Sequence, residues 1–221
     1  MTVRVIFAAC VMCATTLLHG EVIAEFSGSG TPSEGDGVSH WEQVIDGGRS
    51  TAEGPVAGAR PAWHIADRAN GVLLYQNLPS SELVGKAKRV GWKFSVCLWL
   101  GSSNYEGQFP TVSAEYSDAV SGARYRMGYF IDDDGKVGVV INSPQDRLPA
   151  FSVEHPEEFH LYELIYEPSA KVAHLLVDGK ERMHSIPPLK SSGVSRVAWG
   201  CSNGLGTGSA DFSLVRLESN R

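Results

Sequence analysis

The residues whose types and spacing best suit chemistry lie between Pro110 and Asn142. Read as extended chain, this segment sends alternate side chains to opposite faces. Val112, Ala114 and Tyr116 fall on one apolar face with Tyr125, Met127, Tyr129, Ile131, Val137, Val139 and Ile141. The other face receives Ser113, Glu115, Arg124, Arg126 and Asn142, which form the candidate ligand-binding set. Guanidinium, carboxylate and amide groups make the planar, paired hydrogen bonds that a carboxylate or vicinal hydroxyls demand. Phe130 and Tyr105 each offer a ring on which the apolar side of a sugar could rest. The register that closes the Ser117–Gly122 loop most simply sets Glu115 opposite Arg124 and Ser113 opposite Arg126, with Asn142 beside Arg126. The competing reading is a solvated sheet face whose Glu–Arg pair contributes under about 1 kcal/mol.

Other reactive residue types are harder to assemble. Glycoside hydrolysis needs two carboxylates flanking one bond. The nearest pair is Glu115 and Asp118, but alternation leaves Glu115 on the polar face while Asp118 enters a loop. Glu163 and His174 become cross-strand neighbours if the chain turns at Pro168, an arrangement that suits an acid and base but is more simply a structural polar pair. His64 and His160 have no partner assignable from spacing and read as ordinary strand residues. Asp132 to Gly135 has the charge of a calcium loop without the spaced ligands or distal Glu of an EF-hand, and reads as a solvated turn. No cofactor is implied, and calcium stays open without a ligand set.

The elements that must hold these residues are strands. After the first two dozen residues, short β-rich runs alternate with Gly, Pro, Asn and Asp clusters, with no heptad or long helical period. Strands are expected at Trp41–Ile45, Ala62–Ile65, Gly71–Asn77, Val90–Leu100, Pro110–Tyr116, Ala123–Ile131, Val137–Asn142, Phe159–Tyr166, Val172–Val177, Arg196–Gly200 and Asp211–Leu217. Asp46-Gly47, Asp134-Gly135 and Asp178-Gly179 supply hairpin turns. The 221 residues suit one domain, an all-β, two-sheet antiparallel sandwich of the jelly-roll kind spanning residues 25–221, with almost no helix.

Residues 1–24 read as an export signal: a basic start to Arg4, an apolar run from Val5 to Leu18 too short to span a bilayer, and small residues suited to cleavage after Ala24 or after Gly20. A secreted or periplasmic chain follows, with no membrane insertion of the mature part. Removing Arg4 and Glu21 with the leader leaves the formal charge at −6, which offers no electrostatic footprint for nucleic acid. Of the four cysteines, Cys10 and Cys13 leave with the signal. Cys97 and Cys201 either form a disulfide or remain buried thiols, and neither has the spacing of a zinc site.

The phrase FHLYELIYEPSAKVAHLLVDGKERM, followed by VAWGCSNGLGTGSADFSLVRLE, resembles the closing half of concanavalin A-like lectin and glucanase domains, including laminin-G-like modules of bacterial secreted proteins. The resemblance runs from about Trp92 to Leu217, with an echo in AWHIADRANGVLLY. It implies the fold more than the activity, because this architecture carries lectins, hydrolases, lyases and adhesion modules. The paired-acid E-x-D-x-x-E pattern of its glucanases is missing, as are the motifs of jelly-roll alginate lyases. Ser209 and Asp211 match only the first half of a sialidase S-x-D-x-G-x-x-W box. The expectation is a non-catalytic module that binds carbohydrate or mediates adhesion. The alternative is a glycoside hydrolase or polysaccharide lyase with an unfamiliar site. Oligomeric state is not legible.

Overall fold

The computed structural model describes residues 20–35, 40–47, 51–56, 60–68, 71–104, 109–132, 134–141, 151–153, 155, 157–191, 193–202 and 205–220. Its strands are β1 (Glu21–Phe26), β2 (Glu42–Asp46), β3 (Thr51–Val56), β4 (Ala62–Asp67), β5 (Val72–Asn77), β6 (Trp92–Ser103), β7 (Val112–Asp118) and β8 (Ala123–Ile131). They continue with β9 (Val137–Ile141), β10 (Phe151–Val153), β11 (His160–Glu167), β12 (Val172–Val177), β13 (Lys180–Ile186), β14 (Leu189–Lys190), β15 (Arg196–Cys201) and β16 (Gly208–Ser219). Among the described residues these make two eight-stranded antiparallel sheets. The first runs β13-β12-β11-β6-β16-β4-β3 with β1 also on β16, and the second runs β10-β9-β8-β7-β15-β5-β2 with β14 also on β8. The all-β two-sheet sandwich expected from the sequence is the fold observed.

Alternation places the core. Phe94, Val96 and Leu98 from β6 and Val112, Ala114 and Tyr116 from β7 are buried between the sheets, with Tyr125, Met127 and Tyr129 from β8. Trp199 of β15 lies at the centre of one aromatic nest, stacked on Phe26 at 4.9 Å and Tyr75 at 5.0 Å, with Trp41 edge-on at 6.0 Å. Such pairs add about 0.5–1.5 kcal/mol each beyond area burial. Trp41 is fully buried and donates its indole N–H to the Glu25 carbonyl at 3.0 Å, so it offers no surface ring.

Several features depart from the expectation. Helix α1 (Ser81–Val90) precedes β6, so the run expected as a strand from Val90 begins only at Trp92. Ser80 caps it by accepting from the Leu83 amide, Gly91 ends it at φ +93°, and Val84 and Ala87 are buried. β3 carries Gly54 and Pro55, an unlikely strand composition that is tolerated because β3 is an edge. β1 overlaps the segment expected as a leader at residues 21–24: Glu21 to Phe26 pairs with β16, and Ile23, Ala24 and Phe26 are in the core.

The cysteines settle the alternative that the sequence left open. Cys97 and Cys201 are both unpaired and buried. Cys201 points into the core with Val197 and Trp199, whereas Cys97 alternates away from the core residues Val96 and Leu98. The two thiols therefore face different layers, and no disulfide can join them without rebuilding a sheet.

Candidate functional site

The β7–β8 ladder runs without interruption from Val112↔Tyr129 to Asp118↔Ala123. Glu115 consequently faces Arg126, and Ser117 faces Arg124, a register two residues from the simplest expectation. Asp118 explains the tighter turn, because its carboxylate accepts from the amides of Val120 at 2.7 Å and Ser121 at 3.1 Å. A two-residue slip preserves parity, so the polar residues still share one face.

That face is more buried than a solvated surface would be: Ser113 is 2% and Glu115 5% exposed. β15 lies against the other edge of β7, setting Ala198 opposite Glu115 and Arg196 opposite Ser117. Arg124 and Arg196 thus flank Ser117 in one row and reach diagonally to Glu115 from both sides. Arg124 donates from Nε to Oε2 at 2.8 Å, while Arg196 donates from Nε to Oε1 at 3.0 Å, so each arginine takes one carboxylate oxygen. Arg126, directly across from Glu115, donates to Ser202 Oγ at 2.6 Å and lies 3.7 Å over the ring of Phe109. Ser113 Oγ is 2.5 Å from Ser202 Oγ. Phe109 has room there because it packs on Gly128, where any Cβ would meet the ring at 2.5 Å.

Ser113, Glu115, Arg124, Arg126, Arg196 and Ser202 line a depression of about 100 Å³ together with Leu74, Ala198 and Trp199. Burial, followed by the neighbouring Arg124 and Arg196, lowers the Arg126 pKa to about 10 against the pull of Glu115. Arg126 therefore remains a cation at neutral pH. Among the described residues three guanidiniums and one carboxylate line the cavity, a preponderance of planar cationic donors suited to an anionic group.

Four of the five residues expected to bind ligand, Ser113, Glu115, Arg124 and Arg126, are brought together. Asn142 and the ring residue Tyr105 lie outside the described residues. Phe130 is four residues beyond Arg126, about 13 Å along the strand, and its ring covers Gly138 instead. Arg196, Ser202 and Phe109 were missed.

The remaining candidates are structural or rearranged. Glu163 faces Leu176 and accepts from Ser95 at 3.4 Å, whereas His174 faces Ile165, so the expected Glu163–His174 pair does not form. His64 has a partner after all, with Nδ1 2.6 Å from Asp211 Oδ1. His160 likewise bridges Asp178 Oδ2 at 2.7 Å and the His155 carbonyl at 2.8 Å. The Asp132 carboxylate accepts from the amides of Asp134 at 3.0 Å and Lys136 at 2.8 Å, closing a turn at Gly135. No helix among the described residues is long and apolar enough to cross a membrane.

No family model matches the chain, and no curated protein matches it. Solved structures match in fold. A carbohydrate esterase from the Shiga toxin-encoding bacteriophage phi24B is similar at TM-score 0.59 and 12% identity, covering 91% of this chain and 100% of that one. The binding domain of botulinum neurotoxin serotype D/C is similar at TM-score 0.53 and 9% identity over 90% of this chain. A sialidase is similar at TM-score 0.51 and 13% identity over 91% of this chain. This chain spans 48% of the neurotoxin chain and 19% of the sialidase chain. At these identities the likeness is one of architecture.

Proposed function

We propose that the chain is an exported, non-catalytic carbohydrate-binding or adhesion module that grips an acidic glycan by one carboxylate or sulfate group. The observation that carries this reading is the convergence of Arg124, Arg126 and Arg196 on a depression that also holds Glu115. Ligand pockets that engulf a small molecule measure about 300–1,000 Å³, so a 100 Å³ depression accepts a substituent rather than a whole sugar. The rest of the glycan would lie along the outer sheet face. Among the described residues Glu115 is the one acid lining the depression, and guanidiniums engage both its oxygens. That leaves no free carboxylate there to protonate a leaving group or attack a sugar. The sandwich architecture, the resemblance to concanavalin A-like domains and the fold likeness to a carbohydrate esterase and a sialidase support a carbohydrate partner.

The test is a glycan array followed by calorimetry, comparing oligosaccharides that carry a sialic acid, uronate or sulfate with their neutral counterparts. Acidic ligands are expected to bind and neutral ones not. Arg126→Ala should weaken binding by about 1.5–3 kcal/mol per charge-assisted hydrogen bond lost. Arg126→Lys, which keeps the charge and loses the planar fork, should weaken it less. Equal binding of neutral and acidic glycans by wild type and both variants would overturn the assignment.

Export carries its own expectation. Cleavage after Gly20 leaves β1 whole, whereas cleavage after Ala24 removes four of its six residues, including buried Ile23 and Ala24. The exported protein is expected to begin at Glu21, which N-terminal sequencing reads directly.

A further inference from the structure

We propose that the outer face of the β12–β13 hairpin is a divalent transition-metal site of the zinc class, held by His174, Glu181 and His184. The ligand atoms of these three side chains lie within 4.8 Å of one another. Nδ1 of His174 is 3.2 Å and Nδ1 of His184 2.6 Å from the same oxygen, Oε1 of Glu181. Zinc bonds to imidazole nitrogen and carboxylate oxygen measure about 2.0–2.2 Å, which in a tetrahedral site sets ligand atoms roughly 3.3 Å apart. One separation already meets that spacing. The other must open by about 0.7 Å, and His184, with a side chain 73% exposed, is free to swing.

The backbone is built to make this meeting. Residues three apart on a regular strand face opposite ways, so Glu181 and His184 should not share a face. The ladder shifts twice: Leu175 pairs with Met183 while Leu176 pairs with Glu181, inserting Arg182, and Ala173 pairs with Ile186, inserting a residue at Ser185. Ser185 holds φ at +51°, a left-handed conformation costly for serine. The first bulge brings Glu181 and His184 to the side of His174, leaving Met183 and Ile186 turned to the core. Bulges commonly re-aim side chains in this way beside functional sites.

A second carboxylate stands behind the first ligand. Glu167 Oε2 lies 3.6 Å from Nε2 of His174, the ring nitrogen remote from Glu181. Metal-bound histidines regularly present their other N–H to a carboxylate, which fixes the tautomer and strengthens the donor. Three protein ligands, exposed on one side, leave a position open to solvent. Because β13 is an edge of its sheet, a bound ion would pin that edge to β12.

The experiment uses untagged protein and zinc chloride alone. Equilibrium dialysis is expected to retain one zinc per chain, and cobalt substitution to give the visible absorption of a four-coordinate site. His174→Ala and His184→Ala should each lower zinc affinity at least tenfold and abolish the cobalt band. Glu167→Gln should lower affinity about tenfold. The exposed group His155, Glu157 and Glu158 is the control: His155→Ala should leave the zinc stoichiometry unchanged. No retained zinc, or zinc retained equally by the His174→Ala and His184→Ala variants, overturns the proposal.

Discussion

The hairpins β7–β8 and β12–β13 both turn polar side chains outward, yet they hold them in opposite ways. β7–β8 pairs residue against residue with no shift, so its alternation is strict and its outer charges are pressed into a depression. β12–β13 shifts twice within seven residues, and its outer groups stand in solvent, with Glu181 40% exposed at the side chain against 6% for Glu115. An unbroken ladder converts sequence parity into a buried charge network. A bulged ladder gathers residues that parity would separate, at the cost of local strain.

The sharpest way to break the comparison is to remove the central acid from each hairpin. Glu115→Ala leaves Arg124 and Arg196 facing one another without their carboxylate, and should cost about 3 kcal/mol, the low end for a broken buried pair because both guanidiniums keep some contact with water. Glu181→Ala removes only exposed contacts and should cost less than about 0.5 kcal/mol. Urea unfolding of the two variants measures the gap directly. Equal losses would show that burial does not separate the hairpins.

A smaller effect is expected at the turn that joins the irregular pair. Asp178 and Gly179 both have positive φ, at +50° and +74°, as a two-residue hairpin loop requires. The Asp178 carboxylate ties this turn to β11 by accepting from the Leu161 amide at 2.9 Å and pairing with His160. Desolvation acts to raise its pKa, but these hydrogen bonds outweigh it and hold the group below the ordinary value of 3.8. A carboxyl whose pKa is lower folded than unfolded stabilises at higher pH and loses that contribution as pH falls through the folded value. Asp178→Ala should therefore cost about 1 kcal/mol at neutral pH. The difference from wild type should shrink once the pH drops below 3.8, as read by thermal melting across the acid range.

The smallest effect sharpens the argument about strain. Ser185→Gly relieves the left-handed backbone while making the unfolded chain looser, so the two terms partly cancel. A net gain of about 0.5 kcal/mol is expected. A loss of stability would mean that the bulge is held by the Ser185 side chain rather than merely tolerated.

These contrasts also explain what could be read before the structure. Four members of the charge cluster were legible because alternation in Val112–Asp118 and Ala123–Ile131 survives a register error of two. Arg196 was not, because it reaches Glu115 across 81 residues of chain, and nothing local says that β15 lies beside β7. Phe109 was hidden for a similar reason, as its place depends on the missing side chain of Gly128. The metal ligands could not be grouped, since parity assigns Glu181 and His184 to opposite faces and only the bulges reverse it. Helix α1, by contrast, left a readable signal in the Ser80 cap, the closing Gly91 and Lys88 and Arg89 in its last turn.

The separation of the two thiols between layers has a kinetic use. Cys97 belongs to the first sheet and Cys201 to the second, and burial raises both pKa values, that of Cys201 to about 12. Both thiols should react slowly with an alkylating reagent at neutral pH while the sheets stay closed. Each then becomes a clock for its own sheet. If the sandwich unfolds as one cooperative unit, pulse labelling should give Cys97 and Cys201 a common opening rate. If one sheet frays before the other, the two rates will part.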